Sequence, residues 1–230
     1  MTTLRVLEDA EAVARHAADE IAWRIGDARA EGREVHVALA GGRTPRRTYE
    51  LLAGIEGSWA HVHLWLGDER CVPHDDPESN ARMVLESLYA GAIAPPPVLH
   101  RLPRPEVPED AAWLYGLELR EFVADMVFDI VLLGMGPDGH TASLFPGHPA
   151  LQVTEAPCVA IRGAPKPPPE RVTLSLPLLR RARHALLLVT GEDKREALAR
   201  AIAGDPEVPV GRLGEDLDEI VCDREAAPGG

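Results

Sequence analysis

A histidine two residues after an aspartate, inside a glycine-rich turn, is the sequence's clearest candidate for acid–base chemistry. The turn is Gly134, Met135, Gly136, Pro137, Asp138, Gly139, His140. An imidazole titrates near neutrality and can take a proton from water, while a nearby carboxylate orients the ring or stabilises its charge. Two more turns carry groups suited to the same reaction. Asp68, Glu69 and Arg70 follow Gly67 and supply a second carboxylate and a guanidinium able to face a developing oxyanion. Ala40, Gly41, Gly42, Arg43, Thr44 and Pro45 put two glycines and a hydroxyl ahead of a helix. Glycines allow close backbone approach, and free N–H groups at a helix start favour an anion. Alone, that turn fits a plain strand-to-helix connection equally well.

The glycines of the third turn match the spacing of a dinucleotide fingerprint, but the match is rejected. That fingerprint needs a full helix after it, and His140 to Phe145 is cut short by Pro146 and Gly147. It would also set Asp138 against a pyrophosphate. His61 and His63 read as one face of a strand, yet no acidic or cysteine partner has ligand spacing, so no metal is expected. His148 follows a turn and reads as structural. Arg171 after a proline-rich loop and Lys194 after Gly191 read, by themselves, as surface charges. So do Arg180, Arg181, Arg183, Glu109 and Asp110.

The three turns must be held by something, and the apolar pattern says what. Helix-like and strand-like segments alternate, which predicts an α/β fold with a mostly parallel sheet flanked by helices. Helices are expected at 8–31, 45–54, 109–124 and about 192–203, with a loop entering a helix over 76–89. Strands are expected at 35–40, 61–66, 128–134, 171–176, 184–189 and 220–223. The candidate turns follow three of these strands, and open α/β sheets bind ligands beyond the carboxyl ends of their strands. Proline-rich stretches at 94–97, 103–108 and 163–170 read as surface connectors, so residues 1–230 are expected to form a single domain.

Composition narrows the function further. The chain of 230 residues has a formal charge of −13, which argues against nucleic acid and anionic membranes as partners. Any phosphate site must then be built locally from a few cations and backbone amides. No apolar run reaches the length of a membrane span, and the N-terminal residues are acidic where a signal peptide needs an apolar stretch. Three widely spaced cysteines, Cys71, Cys158 and Cys222, predict no disulfide framework and a reducing cytoplasm.

Taken together, GGRTP, LGDERCVPHDDPESNARM, GMGPDGHTASLFPG, ERVTLSLPLL, VTGEDKREAL and VCDREAA resemble the 6-phosphogluconolactonases, which group with the glucosamine-6-phosphate deaminases. The resemblance covers nearly the whole chain. It implies a Rossmann-like fold of the NagB/RpiA/CoA-transferase type. It also implies hydrolysis of a phosphorylated sugar lactone, no cofactor, a cytoplasmic protein, and a monomer or weak homodimer. It places the catalytic histidine on His140, the turn aspartates on Asp138 and Asp68, and Arg70 at the lactone. Phosphate binding falls on Gly41, Gly42, Arg43, Thr44, Arg171 and Lys194. Many relatives carry serine at the positions of Ala40 and Arg43, so the direction of Arg43 is open, as is the aspartate that orients His140. The deaminase branch typically has DEY and a carboxylate after the DGH turn. Here Arg70 and the run Ser143, Leu144, Phe145, Pro146 stand instead, which disfavours it. A non-catalytic sugar-phosphate sensor would have lost the Asp138–His140 pair.

Overall fold

The computed structural model describes residues 2–55, 58–91, 95–103 and 106–229. Strand β1 (Thr3–Leu7) leads into helix α1 (Ala10–Ala30), whose first turn is capped by the Asp9 carboxylate accepting from the Ala12 amide at 2.8 Å. Then come β2 (Val35–Leu39), α2 (Arg43–Ile55), β3 (Val62–Leu66), β4 (Asp68–Arg70) and α3 (Asn80–Ser87). The chain continues through β5 (Val98–His100), α4 (Pro108–Phe122), β6 (Ile130–Gly134), β7 (Cys158–Ile161), β8 (Arg171–Leu174) and α5 (Leu176–Leu179). It ends with β9 (Ala185–Val189), α6 (Arg195–Ile202) and β10 (Glu219–Asp223).

Seven strands make one parallel sheet in the order β1-β10-β9-β6-β2-β3-β5. β2, β3 and β9 are buried at every position, as strands covered on both faces must be, and their near-continuous apolar runs follow from that. One face packs Ile21, Ile25, Leu52 and Val84 of α1, α2 and α3 against Val37, Leu64 and Ile130. The other packs Tyr115, Leu119 and Leu198 of α4 and α6 against Trp65, Val131 and Leu187.

A second sheet was not foreseen. β4, β8 and β7 form an antiparallel unit in which Asp68 pairs with Thr173, and Arg70 with Arg171. The triplet expected as a charged turn is thus a short strand. Its carboxylates hide the pattern because Asp68 and Glu69 are buried and bonded rather than solvated. β1, β5 and β7 were likewise unforeseen, being short edge strands whose few residues give little periodicity. The expected helix at 192–203 divides into a 3₁₀ turn (Glu192–Lys194) followed by α6. No helix follows His140; residues 141–144 close a tight bridge instead. The connectors at 94–97 and 103–108 fall partly on positions 94, 104 and 105, outside the described residues.

The expectation that His61 and His63 share a strand face is corrected. His61 precedes β3 with a left-handed backbone, φ 63°. The His63 ring is instead taken up by His100, Nδ1 to Nε2 at 2.9 Å. His148 accepts from the Ala150 amide through Nδ1 at 3.1 Å and so caps a 3₁₀ turn. Among the described residues no helix is long and apolar enough to cross a membrane, and no cluster of His, Cys, Asp or Glu is arranged to hold a metal.

Candidate active site

The carboxyl ends of β2, β3, β6, β9 and β10 open onto one cleft of about 740 Å³, with Gly41, Asp68, His140, Lys166 and Lys194 in its walls. All parallel strands point the same way, so the loops leaving them converge at one edge of the sheet.

The loop after β6 builds the acid–base pair. The Gly136 amide donates to the His140 carbonyl at 2.9 Å, and the Gly139 amide to the Gly136 carbonyl at 2.9 Å. This tight turn folds His140 back over Gly136, where a Cβ would sit 2.1 Å from the imidazole Cε1 and 2.7 Å from Asp138 Oδ1. Only glycine fits there. His140 Nδ1 and Asp138 Oδ1 lie 2.5 Å apart. Burial alone would raise the Asp138 carboxyl, but the hydrogen bond and charge of His140, with backbone amides, outweigh it and hold the group at about 2. Asp138 is therefore ionised at neutral pH and accepts from Nδ1–H. That tautomer leaves the lone pair on Nε2, which makes no hydrogen bond to any described residue. The ring is braced by Phe145 at 4.7 Å between centroids.

Asp68, the other candidate partner of His140, is engaged elsewhere. Its Oδ2 accepts from Ser143 Oγ at 2.6 Å and lies 3.9 Å from Arg171 Nη1, while Oδ1 accepts from Asn80 Nδ2 at 3.3 Å. Glu69 is buried beneath it and accepts from the amides of Arg70, Asn80 and Ala81 and from Ser79 Oγ. Burial pushes its carboxyl up despite those donors. The buried charge is tied to the start of α3, and it fixes the strand that carries Asp68 and Arg70. Arg70 lines the cleft, donates to the Glu78 carbonyl through Nη1, and buries an Nε with no partner among the described residues.

Gly41, Gly42, Arg43 and Thr44 form the opposite wall. Asn80 presses so close to Gly41 that a Cβ would meet its Oδ1 at 2.5 Å. Arg43 lines the cleft, also borders a neighbouring pocket with Arg46, Arg70 and Arg82, and its charge acts on Lys194. Thr44 Oγ1 is 2.7 Å from Thr190 Oγ1, and Lys194 Nζ donates to the Thr190 carbonyl at 2.9 Å. Burial lowers the Lys194 ammonium, and the charges of Arg43 and Lys166 act in the same direction against Asp193 and Asp223. Arg171 lines the wall too, but its fork is largely occupied. Nε donates to the Pro168 carbonyl at 3.0 Å and Nη2 to the carbonyls of Lys166 and Pro167 at 3.0 and 3.3 Å.

Sequence reasoning gave Glu69 and Ser143 no structural role and did not single out Lys166, which lines the cleft. Ser79 and Asn80 before an apolar stretch are a helix-start signal that could have exposed the buried acceptor opposite them. Ser143 carries no such signal, since its role depends on β8 crossing beside it.

The fold and the cleft define an α/β enzyme with a carboxylate-oriented histidine. The chain belongs to the glucosamine-6-phosphate isomerase/6-phosphogluconolactonase family, whose model matches residues 8–221. A 6-phosphogluconolactonase of Streptomyces coelicolor is 38% identical over 92% of this chain and 87% of its own. One from Mycobacterium leprae is 34% identical over 98% and 97%. The crystal structure of 6-phosphogluconolactonase from Thermotoga maritima superimposes with a TM-score of 0.86 at 30% identity, covering 97% of this chain and 100% of the other.

Proposed function

We propose that this chain hydrolyses 6-phospho-D-glucono-1,5-lactone to 6-phospho-D-gluconate in the oxidative pentose phosphate pathway, with His140 as the general base. The observation that carries the reading is the Asp138–His140 hydrogen bond, set in a cleft whose facing wall holds Arg43 and Lys194. His140 Nε2 takes a proton from water as the water oxygen bonds to lactone C1. The C1 carbonyl electrons move onto oxygen, and Arg70 with backbone amides stabilises that oxyanion. Collapse breaks the bond from C1 to the ring oxygen, which receives the proton from Nε2. The product carboxylic acid then ionises in water.

The phosphate is held by the Gly41–Gly42 turn, Arg43, Thr44, Arg171 and Lys194. Its binding energy positions the remote carbonyl against the base. The same reading makes the protein a cytoplasmic single domain, monomeric or weakly dimeric, with no metal or cofactor. The direct test supplies freshly made lactone and follows acid release against the spontaneous background. A rate that only matches the background overturns the assignment.

A further inference from the structure

Lysine is used at only two places in this sequence, Lys166 and Lys194, and every other basic side chain apart from histidine is arginine. Both lysines line the same cleft. An ammonium is a compact point charge with three rotatable donors, whereas a guanidinium is a planar fork suited to paired carboxylates. Two of the arginines lining the cleft follow that pattern, while Arg43 pairs with no carboxylate among the described residues and Arg171 donates mainly to backbone carbonyls. Arg47 is bound to Glu11 and Glu50, and Arg70 sits beside Glu78. Among the described residues neither lysine forms an ion pair with a carboxylate, although acids outnumber bases 37 to 24 in the chain.

Lys166 lies on the proline-rich loop before β8, a segment expected to be a plain surface connector. Arg171 instead clasps it from below through the carbonyls of Lys166, Pro167 and Pro168. Arg171 is itself buried and tied to Ser143 and, through it, to Asp68. The loop is therefore fixed to the floor of the site. Lys166 and Lys194 both belong to the wall of that one cleft, and the charge of Lys166 acts on Lys194.

We infer that Lys166 is a further substrate-binding residue that contacts the phosphate together with Lys194, and that Arg171 is the positioning residue that holds its loop over the cleft. The inference rests on the lactonase reading for the identity of the phosphorylated ligand, but the anion site itself can be tested without turnover. With two lysines, amine acetylation followed by peptide mapping reads each one directly in the unaltered protein. At 6-phosphogluconate about tenfold above its Kd, acetylation of both lysines is expected to slow about tenfold, while gluconate protects neither. Inorganic phosphate should give the same pattern at higher concentration. Protection of Lys194 with Lys166 acetylated at its free rate overturns the inference.

Kinetics supply a second readout. Lys166→Gln should raise KM for the phosphorylated lactone about tenfold, the loss of one charge-assisted contact, with kcat and the turnover of unphosphorylated gluconolactone kept. An unchanged KM overturns the contact. With 6-phosphogluconate readjusted to about tenfold above the variant's own Kd, Arg171→Gln should leave Lys194 protected and Lys166 unprotected, and protection of both would remove the positioning role. If the unaltered protein leaves the lactone at its background rate, the lactonase reading fails, and protection by inorganic phosphate still decides whether Lys166 belongs to an anion site.

Discussion

At His140 the mechanism reduces to one nitrogen. Asp138 is held ionised and accepts from Nδ1–H, which leaves the Nε2 lone pair for the base role proposed above. Truncation of His140 removes that lone pair from a partly buried ring that lines the cleft and leaves the strands of the sheet untouched. His140→Ala should therefore fold normally, still bind 6-phosphogluconate, and lose about 10²- to 10⁴-fold in kcat, the usual span for a positioned general base. A folded variant with near-normal turnover sinks the mechanism. Lys194→Ala tests the other wall. It should weaken the phosphorylated lactone by about 1.5 to 3 kcal/mol while sparing unphosphorylated gluconolactone; equal losses on both would make Lys194 a structural residue. The spacing of Asp138 and His140 was legible because one short turn carries both, whereas Lys194 read by itself as a surface charge and entered only through the family resemblance. The division between Asp138 and Asp68 was not legible. It depends on Ser143 and Asn80 capturing Asp68, contacts between loops distant in sequence.

The elements explain why these side chains need so little of their own to stay in place. Each sits within a few residues of a buried strand end, and the sheet order brings β2, β3, β6 and β9 side by side. Those strands were legible as apolar runs. The second sheet was not, because β4 has three residues, all charged, and its pairing with β8 spans about a hundred residues of sequence. Gly136 ties element to chemistry. The added Cβ of Gly136→Ala would fall among the atoms of His140 and Asp138, so the turn must open or the ring must swing away. Turnover should fall by at least about tenfold, since even small misplacement of a base is costly, while urea unfolding still shows one cooperative transition. Unimpaired turnover would mean that the tight Asp138–His140 turn is not required for the reaction.

On the scale of the whole molecule, the sheet separates its chemistry from a second set of buried histidines. His36 and His63 sit near the amino ends of β2 and β3, away from the cleft, and His100 on β5 stacks on Trp65 at 3.6 Å. Trp65 Nε1–H donates to His36 Nδ1 at 3.1 Å, a bond that a protonated Nδ1 cannot accept. His63 Nδ1 meets His100 Nε2 at 2.9 Å, and His100 Nδ1 meets Glu118 Oε1 at 2.6 Å. Burial, then the neighbouring His63, lowers His36 to about 4 against the opposing pull of Asp129 and Glu34. His63 is lowered by burial too, with His100 and His61 adding to the effect against Glu34. Both rings are thus neutral in the fold, whereas the unfolded chain takes up a proton near pH 6.5. For His36 this stabilisation is complete above that value and is lost as pH falls toward about 4, and His63 contributes in the same direction. For His36 the loss reaches at most about 3 kcal/mol. Urea unfolding followed by tryptophan fluorescence at pH 7.5 and pH 4.5 should show it. His36→Gln, which keeps an acceptor for Trp65 but cannot charge, should have a smaller drop between the two conditions than the unaltered protein. An identical drop in both would place the acid sensitivity in groups other than His36.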